Sequence, residues 1–256
     1  MNRLIRALKK YGFREVAVKL PGFIGSRFKR VVLYPSVLTR FGITRSRWQK
    51  FQIEHELDFW NNIEKSRFYE SGNDHKDLLI KSFNTHKNKF TDLKLDFLDG
   101  TVADVGCGPQ GGILSFVKAK YKLGVDPLAE EYSKKYALSS DIVIVSSMGE
   151  NIPLLSNIID ACFCINALDH TMRPYLVLKE IYRILKPGGY FAFSVDVNGT
   201  KGHPIKIYEK DLDAFLMKGR FKILEKKCST EKSMWGEYAN VPLYVFQGFK
   251  KEIINE

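Results

Sequence analysis

Residues 102–112 read VADVGCGPQGG, an apolar run that breaks into Gly106, Gly108, Gly111 and Gly112. Glycine turns tightly and leaves its backbone bare, so a strand ending in such a loop can lay its peptide groups against a ligand. Asp126, in LGVDPLA, ends the next apolar run 22 residues after Asp104. There a carboxylate can receive both hydroxyls of a ribose bound over the glycine turn. The pairing predicts a nucleoside-containing ligand at the carboxyl ends of two strands, and leaves open whether it is a nicotinamide dinucleotide or S-adenosylmethionine. A second chemical group follows the fourth apolar run, where NALDHT (Asn166 to Thr171) offers Asp169 and His170. An imidazole with a reference pKa of about 6.5 can act as a base near neutral pH, and a neighbouring carboxylate can tune or replace it. His55, His75 and His86 show no partner pattern and receive no role.

These residues need elements to hold them. From Gly100 onward, short apolar runs alternate with helical stretches: TVADVG, YKLGVD, DIVIVS, DACFCI, YFAFSVDV, FKILEKKCS and PLYVFQGFK read as strands. The segments between the first five are long enough for helices, including one expected near ILSFVKAK directly after the glycine loop. Another is expected over RPYLVLKEIYRILKPGG, where Leu176, Leu178, Ile181 and Leu185 recur at helical spacing and Gly188 and Gly189 end the element. Alternation of this kind predicts a parallel sheet with crossover helices on both faces. The last two runs have no helix between them and should form an antiparallel hairpin at one edge. Upstream, FQIEHELDFWNNIEKSRFYES sets Phe51, Leu57, Trp60 and Ile63 near one helical stripe, and DLLIKSFNTHKNKF reads as a second helix.

The expected organisation is a basic, aromatic N-terminal arm over 1–50, a helical cap over 51–95 and an α/β domain over 96–256. The 256-residue chain carries a net charge of +11, but positions 1–50 hold thirteen Lys and Arg against Glu15 alone. The remainder is close to neutral, so any partner attracted by charge is met at the arm. Cys107, Cys162, Cys164 and Cys228 fit no disulfide framework, and Cys162 and Cys164 share one strand face instead of forming a zinc knuckle; reduced core thiols are expected. No run of eighteen apolar residues occurs and the N-terminus lacks the apolar core of a secretory signal. The arm shares an Arg-rich, acid-poor composition with organelle transit peptides, yet it contains little Ser, and its Phe and Leu content continues through Phe41 without a boundary.

In VADVGCGPQGG, LGVDPLA, SSMGENIPLLSNIIDACFCINALDHT and LKEIYRILKPGGYFAFSV, taken in that order over roughly residues 98–250, the chain resembles the class I S-adenosylmethionine-dependent methyltransferases. The resemblance implies a Rossmann-like, doubly wound, mostly parallel seven-stranded sheet with an antiparallel C-terminal edge hairpin, and S-adenosylmethionine as cofactor. It implies a methionine moiety held over Asp104, Gly106 and Gly108, with the ribose on Asp126. Aligned on Pro153, Met148 stands where the family often has an adenine-binding Asp, so Met148, Gly149 and Glu150 are expected to flank the adenine. The fourth strand of this family ends beside the reactive methyl, which makes His170 the candidate base, with Asp169 and Asn166 beside it. Some ubiquinone-type O-methyltransferases carry E-x-x-E-H and a divalent metal here; this chain has Asn166 for the first carboxylate, and no metal is expected. His203, in NGTKGHPIKIY, falls in the loop where many small-molecule and sugar methyltransferases of the family hold their acceptor.

The stretch after the fourth strand does not match the N/D-P-P-Y signature of amino-methylating DNA enzymes. EHELDFWNN and GHPIKIYEKDLDAFL resemble, more weakly, segments of methyltransferases of bacterial polysaccharide biosynthesis, so a sugar hydroxyl in a surface glycan or its lipid-linked precursor is the expected acceptor. Aromatic and basic residues interleaved in the arm could bind an anionic membrane surface. The same composition could bind RNA, as in an RNA methyltransferase, or simply form a solvated face. A catalytically inactive cofactor-fold protein acting as an interaction module is the remaining alternative. The expected location is cytoplasmic, at the inner face of the membrane if the arm binds it.

Overall fold

Strands form where β-branched, aromatic and cysteine side chains run together. The structure is a computed structural model that describes residues 45–62, 75–197, 205–218, 220–229 and 242–251. Within those residues β1 (Asp96–Val105), β2 (Lys118–Asp126), β3 (Ile142–Ser146), β4 (Ile159–Ile165) and β5 (Leu185–Asp196) pair in parallel. Antiparallel pairing adds β6 (Phe221–Ser229) and β7 (Leu243–Lys250), giving one seven-stranded sheet of order β3-β2-β1-β4-β5-β7-β6. The edge hairpin therefore inserts its second strand beside β5. The chain moves outward one way through β1, β2 and β3 and the other way through β4 and β5, so the order reverses between β1 and β4. In an open α/β sheet the crevice at such a reversal, outside the carboxyl ends of the strands, is where ligands bind.

Period-two alternation divides the core between two faces. Ala103, Val105, Cys162, Cys164, Phe191 and Phe193 face α4 (Pro174–Ile184) and α5 (Glu209–Leu216), which bury Val177, Leu178, Ile181, Leu212 and Leu216 against them. Val102, Ala161, Phe163, Tyr190 and Ala192 face the other way, onto Phe90, Ile113, Leu114 and Val117. On that side α2 (His75–Lys87) stacks Phe83 on Phe116 with ring centroids 3.8 Å apart. The α1 helix (Arg45–Asn61) begins before the expected boundary at 51 and sets Ile53, Leu57 and Trp60 on Leu128, Tyr132 and Tyr136 around α3 (Ala129–Ser133). Phe51 and Ile63 of the expected stripe, and His203, lie outside what is described of the chain's side chains. The four cysteines are free thiols, three of them buried.

Two local expectations fail. No α-helix follows the glycine loop: Pro109–Ser115 form a 3₁₀ turn and β2 already starts at Lys118. Gln110, Gly111 and Gly112 have φ of 63°, 77° and 53°, and successive left-handed residues cannot enter a right-handed helix. Gly188 and Gly189 do not end α4 either. The helix stops at Ile184 and β5 begins at Leu185, with the Lys-Pro-Gly-Gly segment absorbed as a register shift opposite Ile159 and Ala161. A Cβ on Gly189 would lie 2.8 Å from the Lys186 carbonyl, so this irregular strand start requires glycine.

Candidate cofactor and catalytic site

The glycine loop is folded back onto β2 by its own amides. Gly106 N–H donates to the Val125 carbonyl at 2.8 Å, and Gly108 N–H donates to Asp126 Oδ2 at 2.9 Å. Leu128 N–H donates to Asp126 Oδ1 at 2.9 Å, so the carboxylate ties the loop after β1 to the turn after β2. The loop's glycines serve different ends. Gly106 has φ +76°, and a Cβ there would stand 2.4 Å from the Ala167 Cβ of the β4 loop; Gly112 would meet the Cys107 carbonyl at 2.5 Å. Gly108, with φ +64°, has open space beside it as far as Trp60, 3.8 Å from the Cβ position. Close packing of the chain on itself thus accounts for Gly106, and Gly108 is where backbone is left bare.

Asp104 and Asp126 are 2% and 6% exposed. Burial penalises the Asp104 carboxylate and outweighs the amide of Ile113 bonded to it; with Asp126 nearby as a second negative charge, its pKa rises to about 7. Burial likewise lifts Asp126 to about 6 against the stabilising amides of Leu128 and Gly108. Asp104 Oδ1 is buried with no hydrogen-bond partner among the described residues. A buried acceptor left unmade is costly. Two shielded carboxylates beside a bare glycine suit a ligand that brings positive charge and hydroxyl donors. S-adenosylmethionine, with an ammonium, a sulfonium and a ribose diol, fits that donor set.

Asn166 follows β4 with φ 52° and donates its N–H to the Ser194 carbonyl at 2.9 Å, which brings the β4 loop across to β5. Asp169 is 1% exposed, and its carbonyl accepts the Ile205 amide at 3.1 Å, where the chain returns after β5. His170 Nδ1 lies 2.6 Å from Glu56 Oε1 on α1. Burial opposes a charged imidazole, but Glu56, then Asp169 and Asp196, outweigh it and raise the His170 pKa to about 9. His170 and Glu56 both stand close enough to Asp126 to act on its charge. The histidine and the carboxylate cradle therefore share one end of the sheet.

The loop after β3 packs against the same end of the sheet. Gly149 is buried, with Val105 and Val177 methyls 3.0 and 3.2 Å from its Cβ position, and Ser147 N–H bonds the Asp126 carbonyl at 3.3 Å. Glu150 Oε1 accepts the amides of Met172 and Arg173 at 2.9 and 3.1 Å, fastening the entry to α4. Met148 beside them is half-buried. Glu56 and Trp60 were not expected in the site. They sit 114 and 48 positions away from their partners His170 and Gly108, and an acidic residue in a helix carries no signal of such a contact. No group of three potential metal ligands occurs among the described residues. None of the described helices is long and apolar enough to cross a membrane.

Comparison with known proteins matches residues 103–193 to the family model described as a methyltransferase domain. A ubiquinone biosynthesis O-methyltransferase of Pseudomonas entomophila is 27% identical over 139 residues, covering 50% of this chain and 58% of that protein. The sterol 24-C-methyltransferase of Saccharomyces cerevisiae is 31% identical over 102 residues, covering 36% of this chain and 26% of its own length. The chain thus spans little more than half of the first relative and about a quarter of the second. Among solved structures, a protein of Thermotoga maritima described as a possible histamine N-methyltransferase superposes with a TM-score of 0.52 at 18% identity, over 78% of this chain and 100% of that one. That likeness is one of fold.

Proposed function

Residues 103–193 match a methyltransferase domain, and we propose that the chain transfers a methyl group from S-adenosylmethionine to a hydroxyl oxygen. The observation that carries this reading is the gathering of Asp104, Asp126, the bare Gly108 and His170 at the β1/β4 reversal. Asp126 would accept the ribose hydroxyls, and Asp104 would hold the methionine end over Gly106 and Gly108. When bound, S-adenosylmethionine supplies an electrophilic methyl on a sulfonium. The chain's own task is then to place an acceptor oxygen in line and take its proton. In this reading His170 would receive the proton that the acceptor hydroxyl loses on methylation. Of the two named relatives one methylates oxygen and the other carbon; a histidine set at this place favours oxygen.

For the acceptor, a sugar hydroxyl in a bacterial surface glycan or its lipid-linked precursor is the reading we favour. It rests on the weaker resemblance of EHELDFWNN and GHPIKIYEKDLDAFL to segments of methyltransferases of bacterial polysaccharide biosynthesis, the latter running into α5. The basic arm, with thirteen cations against one acid, would hold the protein near an anionic membrane where lipid-linked glycans reside, each cation adding up to about 1 kcal/mol. His203 stands in the segment proposed to meet the acceptor. Mass spectrometry of glycans from cells with and without the gene tests the assignment. Disappearance of one O-methyl sugar is the expected result, and an unchanged glycan profile with altered methylation of RNA would overturn it.

A further inference from the structure

Helix α1 lies outside residues 103–193, yet it reaches the candidate base. Glu56 Oε1 stands 2.6 Å from His170 Nδ1, and Gln52 Nε2 donates to that same oxygen at 3.0 Å. Gln52, Glu56 and Trp60 succeed one another at four-residue intervals, so they lie on one helix face. Trp60 is the side chain beside the bare Gly108. The same face of α1 therefore meets both the histidine and the glycine loop. Gln52 is 6% exposed, and the Glu56 and His170 side chains are 23% and 24% exposed, shielded but reachable.

We propose that Glu56, held by Gln52, is the positioning residue for His170: it keeps the Nδ1 proton, so that Nε2 is the nitrogen that takes the acceptor's proton, and it stabilises the resulting imidazolium. This rests on the reading of His170 as the base. The proton balance is simple: the hydroxyl hydrogen passes to Nε2 while the Nδ1 hydrogen stays shared with Glu56. A carboxylate on the far nitrogen of a catalytic histidine fixes tautomer and orientation without itself being protonated. Among the described residues, the charged groups acting on His170 are Glu56 from α1, Asp169 beside it and Asp196 at the end of β5, and His170 acts in turn on Asp126 at the end of β2. Of these carboxylates Glu56 is bonded to the ring, and it is the leading cause of the rise that overcomes burial. Because the ring is charged below about pH 9, its Nε2 proton must pass to solvent before the acceptor's arrives, and turnover should rise with pH through that midpoint.

The test uses the full chain with isotope-labelled histidine, following the imidazole carbon and nitrogen resonances with pH; the His170 signals are those lost in His170→Gln. The expected midpoint lies near 9 in the natural chain and falls toward the ordinary value of about 6.5 in Glu56→Gln. Glu56→Asp should keep an elevated midpoint, which separates loss of the charge from loss of fold. Above that midpoint, nitrogen shifts should show the remaining proton on Nδ1 in the natural chain. An unchanged midpoint in Glu56→Gln, or a neutral ring protonated on Nε2, would overturn the proposal. Calorimetry with S-adenosylmethionine on the natural chain is run beside it: absent binding would overturn the methyl-transfer reading, a separate outcome because the titration needs no cofactor.

Discussion

At the scale of residues, the site is a balance of buried carboxylates. Asp104 and Asp126 have folded pKa values raised to about 7 and about 6. A raised carboxylate pKa contributes stability that is full below the unfolded value and is lost as pH climbs through the folded one. Both groups therefore destabilise the ligand-free protein progressively between about pH 4 and pH 7. A cationic ligand reverses this by favouring the ionised forms. Binding of S-adenosylmethionine should release protons near pH 6 and tighten from pH 5 to pH 8. Calorimetry in two buffers of different ionisation enthalpy measures the proton count, and proton uptake or pH-independent affinity would contradict the charge assignment. His170→Ala should leave cofactor affinity nearly intact and lower turnover by about a hundredfold, the usual contribution of a general base. Turnover within a few fold of the natural chain would make His170 structural.

At the scale of elements, the loops matter more than the helices. Gly106→Ala places a methyl 2.4 Å from Ala167 at a φ of +76°, so it should destabilise by at least about 1–3 kcal/mol, the range for a strained backbone position. Thermal unfolding would show this as a lower midpoint, and Ala167→Gly in the same chain should recover the part due to the clash. Full additivity of the two changes would mean that the loops do not touch. The seven strands were legible because short apolar runs such as TVADVG and DACFCI stand apart between longer stretches. The missing helix after Gly112 was not legible. ILSFVKAK has helical spacing, but the left-handed residues before it and the hydrogen bonds that start β2 at Lys118 took precedence over local propensity. Asp104 was implied by the family resemblance, whereas Gly108 and Asp126 could be read from spacing because one strand-turn-strand unit carries both. The contact of Glu56 with His170 could not, since it depends on how α1 lies across the sheet.

For the whole molecule, charge and fold separate along the chain. Positions 1–40 carry ten of the thirteen cations of the N-terminal fifth, and the sheet begins only at Asp96. Deleting 1–40 should leave cofactor binding in place and remove most sedimentation with anionic vesicles at low salt. Unchanged, salt-insensitive sedimentation would exclude the arm as an electrostatic anchor. Deleting 1–62 should act differently, because it removes Glu56 and Trp60 along with α1. His170 would then titrate closer to its ordinary pKa, and a midpoint still near 9 would contradict the contact. The central claim is a cofactor cradle at the β1/β4 reversal, and calorimetric titration of the full chain with S-adenosylmethionine tests it most directly. The account predicts saturable one-to-one binding to the natural chain, lost in an Asp126→Ala variant whose far-ultraviolet circular dichroism is unchanged. Equal affinity in both proteins, or no binding to either, would contradict it.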